Sequence, residues 1–442
     1  MTPSARIQAS IELLDAVFTT PRPADGVVSA FFRGRRYIGS GDRADISERV
    51  YGVLRHHARL GWWLERVGHP PVGARPRIVA WLILGEGKGT KDLGRLFNGD
   101  RYAPAPLTEA EQAIVRALKD QPLDSPEMPP SVRTECPEWA AGPLARAFGH
   151  RFDEELAALL SPAPLDIRVN ELKSDRAEVI KSLGAAGIAA RPTRYSPIGL
   201  RVEGRPPLAG HTLFRAGVIE VQDEGSQILA LLADARPGAQ VVDFCAGAGG
   251  KALAMAARMQ GKGRIVACDV SEGRLIRAKE RIRRAGVDNI EPKPLSSERD
   301  KWVKRHKGKF DRVLIDAPCS GTGAWRRNPD ARWRDTDLAA LTALQARILE
   351  SASRLARPGG RVVYATCSLL PDENEDRVAA FLEAHPEFRV VPVGEVWAET
   401  VGGPCPMEGP FLRLSPAQHR TDGFFAAILE RTDGQPGEAP PA

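Results

Sequence analysis

From about residue 223 onward, short apolar runs alternate with helical stripes, and that alternation leaves little room for anything but a parallel α/β sheet. The runs read Gln240–Cys245, Arg264–Asp269, Asn289–Lys293, Phe310–Asp316 and Arg361–Thr366, with a last pair near Phe388–Val393 and Phe424–Leu429. Between them, Leu275, Ala278, Ile282 and Ala285 fall on one helical stripe, while Arg274, Arg277, Arg281 and Arg284 face elsewhere.

The upstream sequence has a different grammar. Residues 5 to about 120 read as helical, with Ile7, Ile11 and Leu14 at helical spacing. Val50, Val53, Leu54, Leu60 and Leu64 repeat the pattern behind a candidate cap at Asp45, and Arg33, Arg35, Arg36, Arg55 and Arg59 predict a basic face. Five prolines between residues 121 and 137 read as a linker. A small mixed segment follows, with strands at Asp166–Asn170, Ile188–Arg191, Gly199–Val202 and Val218–Gln222 and a helix at Arg176–Ala186. The expected division is a helical domain over 1–140, an α+β lead-in over 141–222, an α/β domain over 223–432 and a disordered tail over 433–442.

The chain has 442 residues, too many for one core. Its net charge of +6 suits a polyanionic partner, and 16 Lys/Arg against 7 Asp/Glu between Arg258 and Lys309 concentrate that charge. Six cysteines without a CxxC pair exclude a disulfide scaffold and argue against a metal site. The start, Met1-Thr2-Pro3-Ser4-Ala5-Arg6, has no apolar signal region, and no run nears the ~20 apolar residues of a membrane span. The expectation is a cytoplasmic monomer with reduced thiols.

The first α/β strand runs into Asp243-Phe-Cys-Ala-Gly-Ala-Gly-Gly-Lys251, a glycine-rich turn whose backbone N–H groups can approach a ligand. From Gly247 the string fails the dinucleotide fingerprint at its third glycine, and Ala252 after Lys251 breaks the P-loop pattern. Asp269, at the end of the second strand, can accept both hydroxyls of a ribose. A ribose acid beside a turn with no pyrophosphate fingerprint fits S-adenosylmethionine, which carries no phosphate.

Two strand ends carry a cysteine each: Asp316-Ala-Pro-Cys319 and Thr366-Cys367-Ser368. Carbon 5 of cytosine is a poor nucleophile. A thiolate that adds to carbon 6 makes carbon 5 enamine-like and able to accept a methyl group. Asp316 is placed to meet the ring at N3, and a second base must remove the carbon-5 proton before the thiolate can leave. A neighbouring sulfonium and Lys251 would favour the thiolate at both positions. Spacing alone leaves open which cysteine attacks; in DNA cytosine methyltransferases it is the one of a Pro-Cys motif, here Cys319. Cys136, Cys268 and Cys405 read as small buried hydrophobes.

These motifs, DFCAGAGGK (243–251), DAPCSGTG (316–323), RRNPD (326–330), TCS (366–368) and TDGFF (421–425), resemble the Nol–Nop–Sun family of RNA cytosine-5 methyltransferases. IRVNELK (167–173) and VQDEGSQ (221–227) resemble that family's RNA-binding lead-in, and ERVYGVLRHHARLGWWL (48–64) resembles the NusB-like domain of its bacterial Sun/RsmB branch. The resemblance implies a Rossmann-like class I methyltransferase domain behind an all-α NusB-like domain and a small α+β RNA-binding segment. It implies that Cys367 attacks and Cys319 assists release. It carries S-adenosylmethionine contacts onto Cys245, Ala246, Gly247, Ala248, Gly249, Gly250, Lys251, Asp269 and Asp316.

Arg168, Asn170, Arg326, Arg327 and Asp330 become candidates for holding RNA or shaping the pocket, and the Arg274–Arg284 helix for tracking phosphates. The implied substrate is small-subunit (16S) ribosomal RNA, with transfer RNA, or an assembly factor with a vestigial site, as alternatives. In two places the chain departs from the family pattern. Gly247-Ala248 stands where a proline is usual, which predicts a looser turn. The aspartate that commonly follows the third strand is not evident, which leaves Ser296 to meet the adenine amine.

Overall fold

A computed structural model describes residues 1–432; the tail assigned to 433–442 lies outside the described residues. The chain forms two compact units: Met1–Ser161 with Trp325–Asp335, and Pro162–Ala324 with the chain from Thr336 onward.

The first unit is helical. Helices Pro3–Phe18, Ala24–Gly34, Ser40–Arg55, His57–Arg66, Ala74–Leu84 and Glu109–Leu118 pack around Leu13, Leu14, Val50, Val53, Leu60, Leu64, Ile78 and Leu82. Each such fully buried leucine contributes about 1.5–3 kcal/mol relative to an exposed one. Asp45 is not a cap. The helix starts at Ser40, and Asp45 instead pairs with Arg49 one turn on. The expected basic face is partly spent inside the unit, where Arg35 pairs with Glu12 and Arg59 donates to the Arg133 carbonyl.

The proline-rich stretch is not a free linker. Met128 and Glu135 are buried, and the Glu135 carboxylate accepts the Ala58 and Arg59 N–H groups at 2.7 and 3.0 Å. Those are first-turn donors of the helix His57–Arg66, which have no partner within the helix. The helical unit also extends beyond the expected residue 140, through helices Glu138–Phe148 and Phe152–Leu160.

Trp325–Asp335 completes this unit from far along the chain. Trp325 and Arg332 are among the largest fully buried side chains, with the guanidinium 4.8 Å from the indole centroid. Arg332 donates to the carbonyls of Glu135 and Leu159, and Asp330 accepts the Ala24 N–H at 3.1 Å.

The second unit opens with a small antiparallel sheet of β1 (Leu165–Val169), β2 (Ala190–Pro192), β3 (Gly199–Val202) and β4 (Ile219–Val221), in the order β2-β3-β1-β4. Helix Arg176–Ala185, capped by Asp175, covers it through Val179 and Leu183. The large sheet follows: β5 (Gln240–Asp243), β6 (Arg264–Asp269), β7 (Ile290–Pro294), β8 (Phe310–Asp316), β9 (Ala356–Thr366), β10 (Phe388–Val391), β11 (Leu412–Leu414) and β12 (Phe424–Arg431). Its order is β10-β12-β9-β8-β5-β6-β7, with β11 added on β12. The strands from β9 to β7 are parallel, and β12 runs antiparallel between β9 and β10. Buried on both faces, the parallel strands read as apolar runs, which is why the sequence locates them. No helix among the described residues is long and apolar enough to cross a membrane.

Candidate active site

Strand order reverses at β5, which has β6 on one side and β8 on the other, so a crevice opens at the carboxyl ends of these strands. Asp243, Asp269 and Asp316 end β5, β6 and β8, and Cys367 follows the last residue of β9.

The glycine-rich turn connects β5 to helix Gly250–Arg258. Gly247 and Gly249 have φ of 56° and 78°, a region that side chains rarely adopt, so both glycines are required by the backbone. The expected looseness is countered by three hydrogen bonds. Ala246 N–H meets the Cys268 carbonyl at 2.8 Å, Gly247 N–H meets Asp269 Oδ2 at 2.9 Å, and Arg281 Nη1 donates to the Ala248 carbonyl at 2.9 Å. Asp269 also accepts Ser271 N–H at 2.7 Å, so its carboxylate ties the turn to the next helix. Cys245 lies beneath, its thiol pushed far up by burial and by the carboxylates of Asp316, Asp243 and Asp269.

The same guanidinium of Arg281 reaches Glu220 at 3.1 Å, and Arg284 takes the other oxygen of Glu220. These two arginines are therefore committed to structure rather than to phosphate tracking, because one buried carboxylate holds both.

Ser296 does not stand alone. Its N–H and hydroxyl both donate to Asp300 Oδ2, at 2.9 and 2.8 Å. Donation from the Ser296 and Trp302 backbones holds the Asp300 carboxyl down at about 2. Asp300 thus places a carboxylate beside Ser296 after the third strand. It also caps helix Lys301–Arg305.

The two cysteines come together, with Cys319 Sγ 3.4 Å from Cys367 Sγ. Beside them Lys251 Nζ lies 2.6 Å from Asp316 Oδ2. Burial works against the charge on Lys251, but the ion pair and hydrogen bond with Asp316 outweigh it and hold the ammonium form, with Asp243 and Cys367 adding to the effect. Asp243 is fully buried, and burial pushes its carboxyl up to about 7 against the pull of Lys251. A thiolate is expected at both sulfurs beside a bound sulfonium, and at Cys319 the groups present oppose it. Its hydrogen bond with Cys367 and its burial push that thiol well above its usual pKa, and the negative charge of Glu373 adds to the shift.

Backbone packing behind the thiols explains a distant motif. A Cβ on Gly323 would lie 2.2 Å from the Gly423 carbonyl oxygen, so the glycines of DAPCSGTG and TDGFF permit direct contact of two main chains. Gly423 N–H bonds the Gly323 carbonyl at 2.9 Å, and Gly323 N–H bonds the Cys367 carbonyl at 3.0 Å.

Several sequence candidates are placed elsewhere. Arg168 is buried and donates to Gln222 at 2.7 Å; Asn170 bonds the carbonyls of Gly217 and Ala285. Arg326, Arg327 and Asp330 belong to the helical unit, where Arg326 and Asp330 are buried. For Arg168, Asn170 and Asp330 the polar groups are met inside the fold, as buried polar groups require.

Residues 230–430 match the family described as 16S rRNA methyltransferase RsmB/F, and residues 136–209 match its ferredoxin-like domain. The chain is 31% identical over 423 residues to the probable ribosomal RNA small subunit methyltransferase B of Synechocystis sp., covering 88% of this chain and 91% of that protein. Against ribosomal RNA small subunit methyltransferase B of Yersinia enterocolitica, identity is 30%, over 82% and 87% of the two chains. Among solved structures, that of PH0851 superimposes with a TM-score of 0.80 at 25% identity, covering 98% of this chain and 99% of the other.

Proposed function

Since the chain belongs to the RsmB/F family of 16S rRNA methyltransferases, we propose that it methylates a cytosine of 16S ribosomal RNA with Cys367 as nucleophile and Cys319 as release base. It is an S-adenosylmethionine-dependent RNA cytosine-5 methyltransferase. In this reading it works as a monomer in the cytoplasm.

The residues at the crevice fit that cofactor. Asp243, Asp269 and Asp316 gather at the strand ends, with Lys251 against Asp316 and Arg274 3.8 Å from Asp269, and this acidic crevice suits a cation without phosphates. The turn Cys245–Lys251, Asp269 and the Ser296–Asp300 pair would hold it, and it supplies an electrophilic methyl group.

The observation that carries the reading is the 3.4 Å contact between the two sulfurs beside the Lys251–Asp316 pair. The hydrogen bond with Cys367 and burial raise the pKa of Cys319, and the Lys251 ammonium lies close to Cys367. Cys367 Sγ bonds to carbon 6 of the cytosine. Asp316 has its Oδ2 committed to Lys251 and its side chain 31% exposed, which leaves Oδ1 for the N3 edge of the ring. After methylation, Cys319 gives its own proton to solvent and as thiolate takes the carbon-5 proton, the C5–H electrons restore the C5=C6 bond, and the C6–S electrons return to Cys367. The target base must leave its stack for this attack.

The test is a set of single variants with unmodified 16S transcript, transfer RNA and labelled cofactor. Cys319→Ser should accumulate a covalent protein–RNA adduct, and Cys367→Ala should abolish both adduct and transfer. An adduct that survives Cys367→Ala overturns the assignment, and label on transfer RNA alone overturns the substrate.

A further inference from the structure

The turn after β9 carries a carboxylate that the reaction above does not use. Glu373 is fully buried, and each of its oxygens accepts hydrogen bonds from a loop that bears a cysteine or from the helix behind. Oε1 takes the Ser320 N–H at 2.8 Å and Gln345 Nε2 at 2.9 Å. Oε2 takes the hydroxyls of both Ser320 and Ser368. Ser320 directly follows Cys319, and Ser368 directly follows Cys367.

The other bonds in this cluster serve the same end. Gln345, also fully buried, donates to the Pro318 carbonyl at 3.0 Å, on the other side of Cys319. Tyr364 bonds the main-chain carbonyl of Glu373 at 2.7 Å, which fixes the turn to β9. Leu369 N–H meets Thr322 Oγ1 at 2.8 Å and joins the two loops a second time.

Burying a carboxylate is costly unless its lone pairs are met. Here four donors meet them, and all four lie on the two thiol loops or on the helix that braces one of them. A purely structural cross-link of this kind could be built from neutral groups. A carboxylate sets the spacing of both loops and also puts a negative charge near Cys319, which adds to the rise of that thiol's pKa.

We propose that Glu373 is a positioning residue that fixes Cys319 against Cys367, and so governs release of the methylated base rather than the initial attack. This rests on the two-thiol reading given above. Attack needs only Cys367, Asp316 and the base. Release needs Cys319 within reach of the carbon-5 proton while Cys367 is still bonded to carbon 6. Misplacing a reacting group by about 1 Å costs on the order of 100-fold.

The experiment compares full-length Glu373→Gln, Cys319→Ser and the double variant on unmodified 16S transcript with S-adenosylmethionine. Multiple-turnover methylation, gel-shifted covalent adduct and thermal melting are read together. Glu373→Gln should melt as a folded protein, lose roughly 10- to 100-fold in turnover and accumulate adduct as Cys319→Ser does. The double variant should be no slower than Cys319→Ser alone, because both changes act on the same step. Three results overturn the proposal: parental turnover in Glu373→Gln, loss of adduct along with turnover in a folded variant, or a double variant well below Cys319→Ser. Should Glu373→Gln fail to fold, Ser320→Ala removes one donor beside Cys319 and is judged by the same criteria. An adduct that persists in Cys367→Ala sinks the two-thiol reading itself, whatever Glu373 does.

Discussion

Both units bury charge, and they use it differently. In the helical unit three buried charges end on main chain, Glu135 on two N–H groups, Arg332 on two carbonyls and Arg77 on the carbonyls of His57 and Pro71, while Arg49 and Glu111 pair with side chains that hold helices together. In the α/β unit, Lys251 meets Asp316 side chain to side chain, and the two thiols meet each other. A side chain that closes off backbone is part of the scaffold. Side chains that converge at strand ends, with a partner's valence left open, can do chemistry. Burial alone does not separate the two.

The largest effect that would break this contrast is at Cys367. Cys367→Ala should lower methyl transfer by about 1,000-fold or more with unchanged melting, since the covalent route is lost. Glu135→Ala, by contrast, should destabilise the helical unit by about 1–3 kcal/mol while turnover at saturating RNA stays near parental. Denaturant melts and single-turnover kinetics on both variants decide the matter; a chemical defect in Glu135→Ala would erase the distinction.

Protonation sharpens it further. Burial raises the carboxyl of Glu135 from its usual 4.5, and that of Asp243 from 3.8, to about 7 in each case. Each folded carboxyl therefore binds a proton that the unfolded chain has already released. The contribution to stability is fully present below the unfolded values and is lost as pH rises through about 7. Thermal melting should fall across that window, and Asp243→Asn should flatten part of the fall; an unaltered slope in that variant refutes the assignment.

The smallest predicted effect concerns the cofactor turn. Arg281→Ala removes one charged donor from the Ala248 carbonyl and should raise the KM for S-adenosylmethionine up to about 10-fold with kcat little changed. An unchanged KM would mean that the Ala246 and Gly247 bonds hold the turn by themselves.

The α/β strands and the two candidate cysteines were legible because most of the parallel strands carry buried apolar runs and place their termini at one edge. The pattern missed β11, whose three residues are too short to show a period. It also misread the stretch 121–137, since prolines mark a chain that cannot be regular helix, not one that cannot pack. Arg168 and Asn170 came forward as residues for RNA or the pocket only through the family resemblance. Their partners, Gln222 and the carbonyls of Gly217 and Ala285, lie far along the chain. Glu373 gave no signal at all. In sequence it is one acid among several before helix Glu375–Ala384, and its role appears only when Ser320 and Ser368 are brought to it.

The contribution of Trp325–Asp335 to the helical unit has a consequence for synthesis. A ribosome emits residues 1–161 long before it emits the segment that fills their interior with Trp325 and Arg332. At ~5–20 residues per second the delay is on the order of ten to thirty seconds. During that interval the nascent helices hold an unfilled groove, and β5 to β8 leave the exit tunnel first. The amino-terminal unit is thus the first to be started and cannot be the first to be finished.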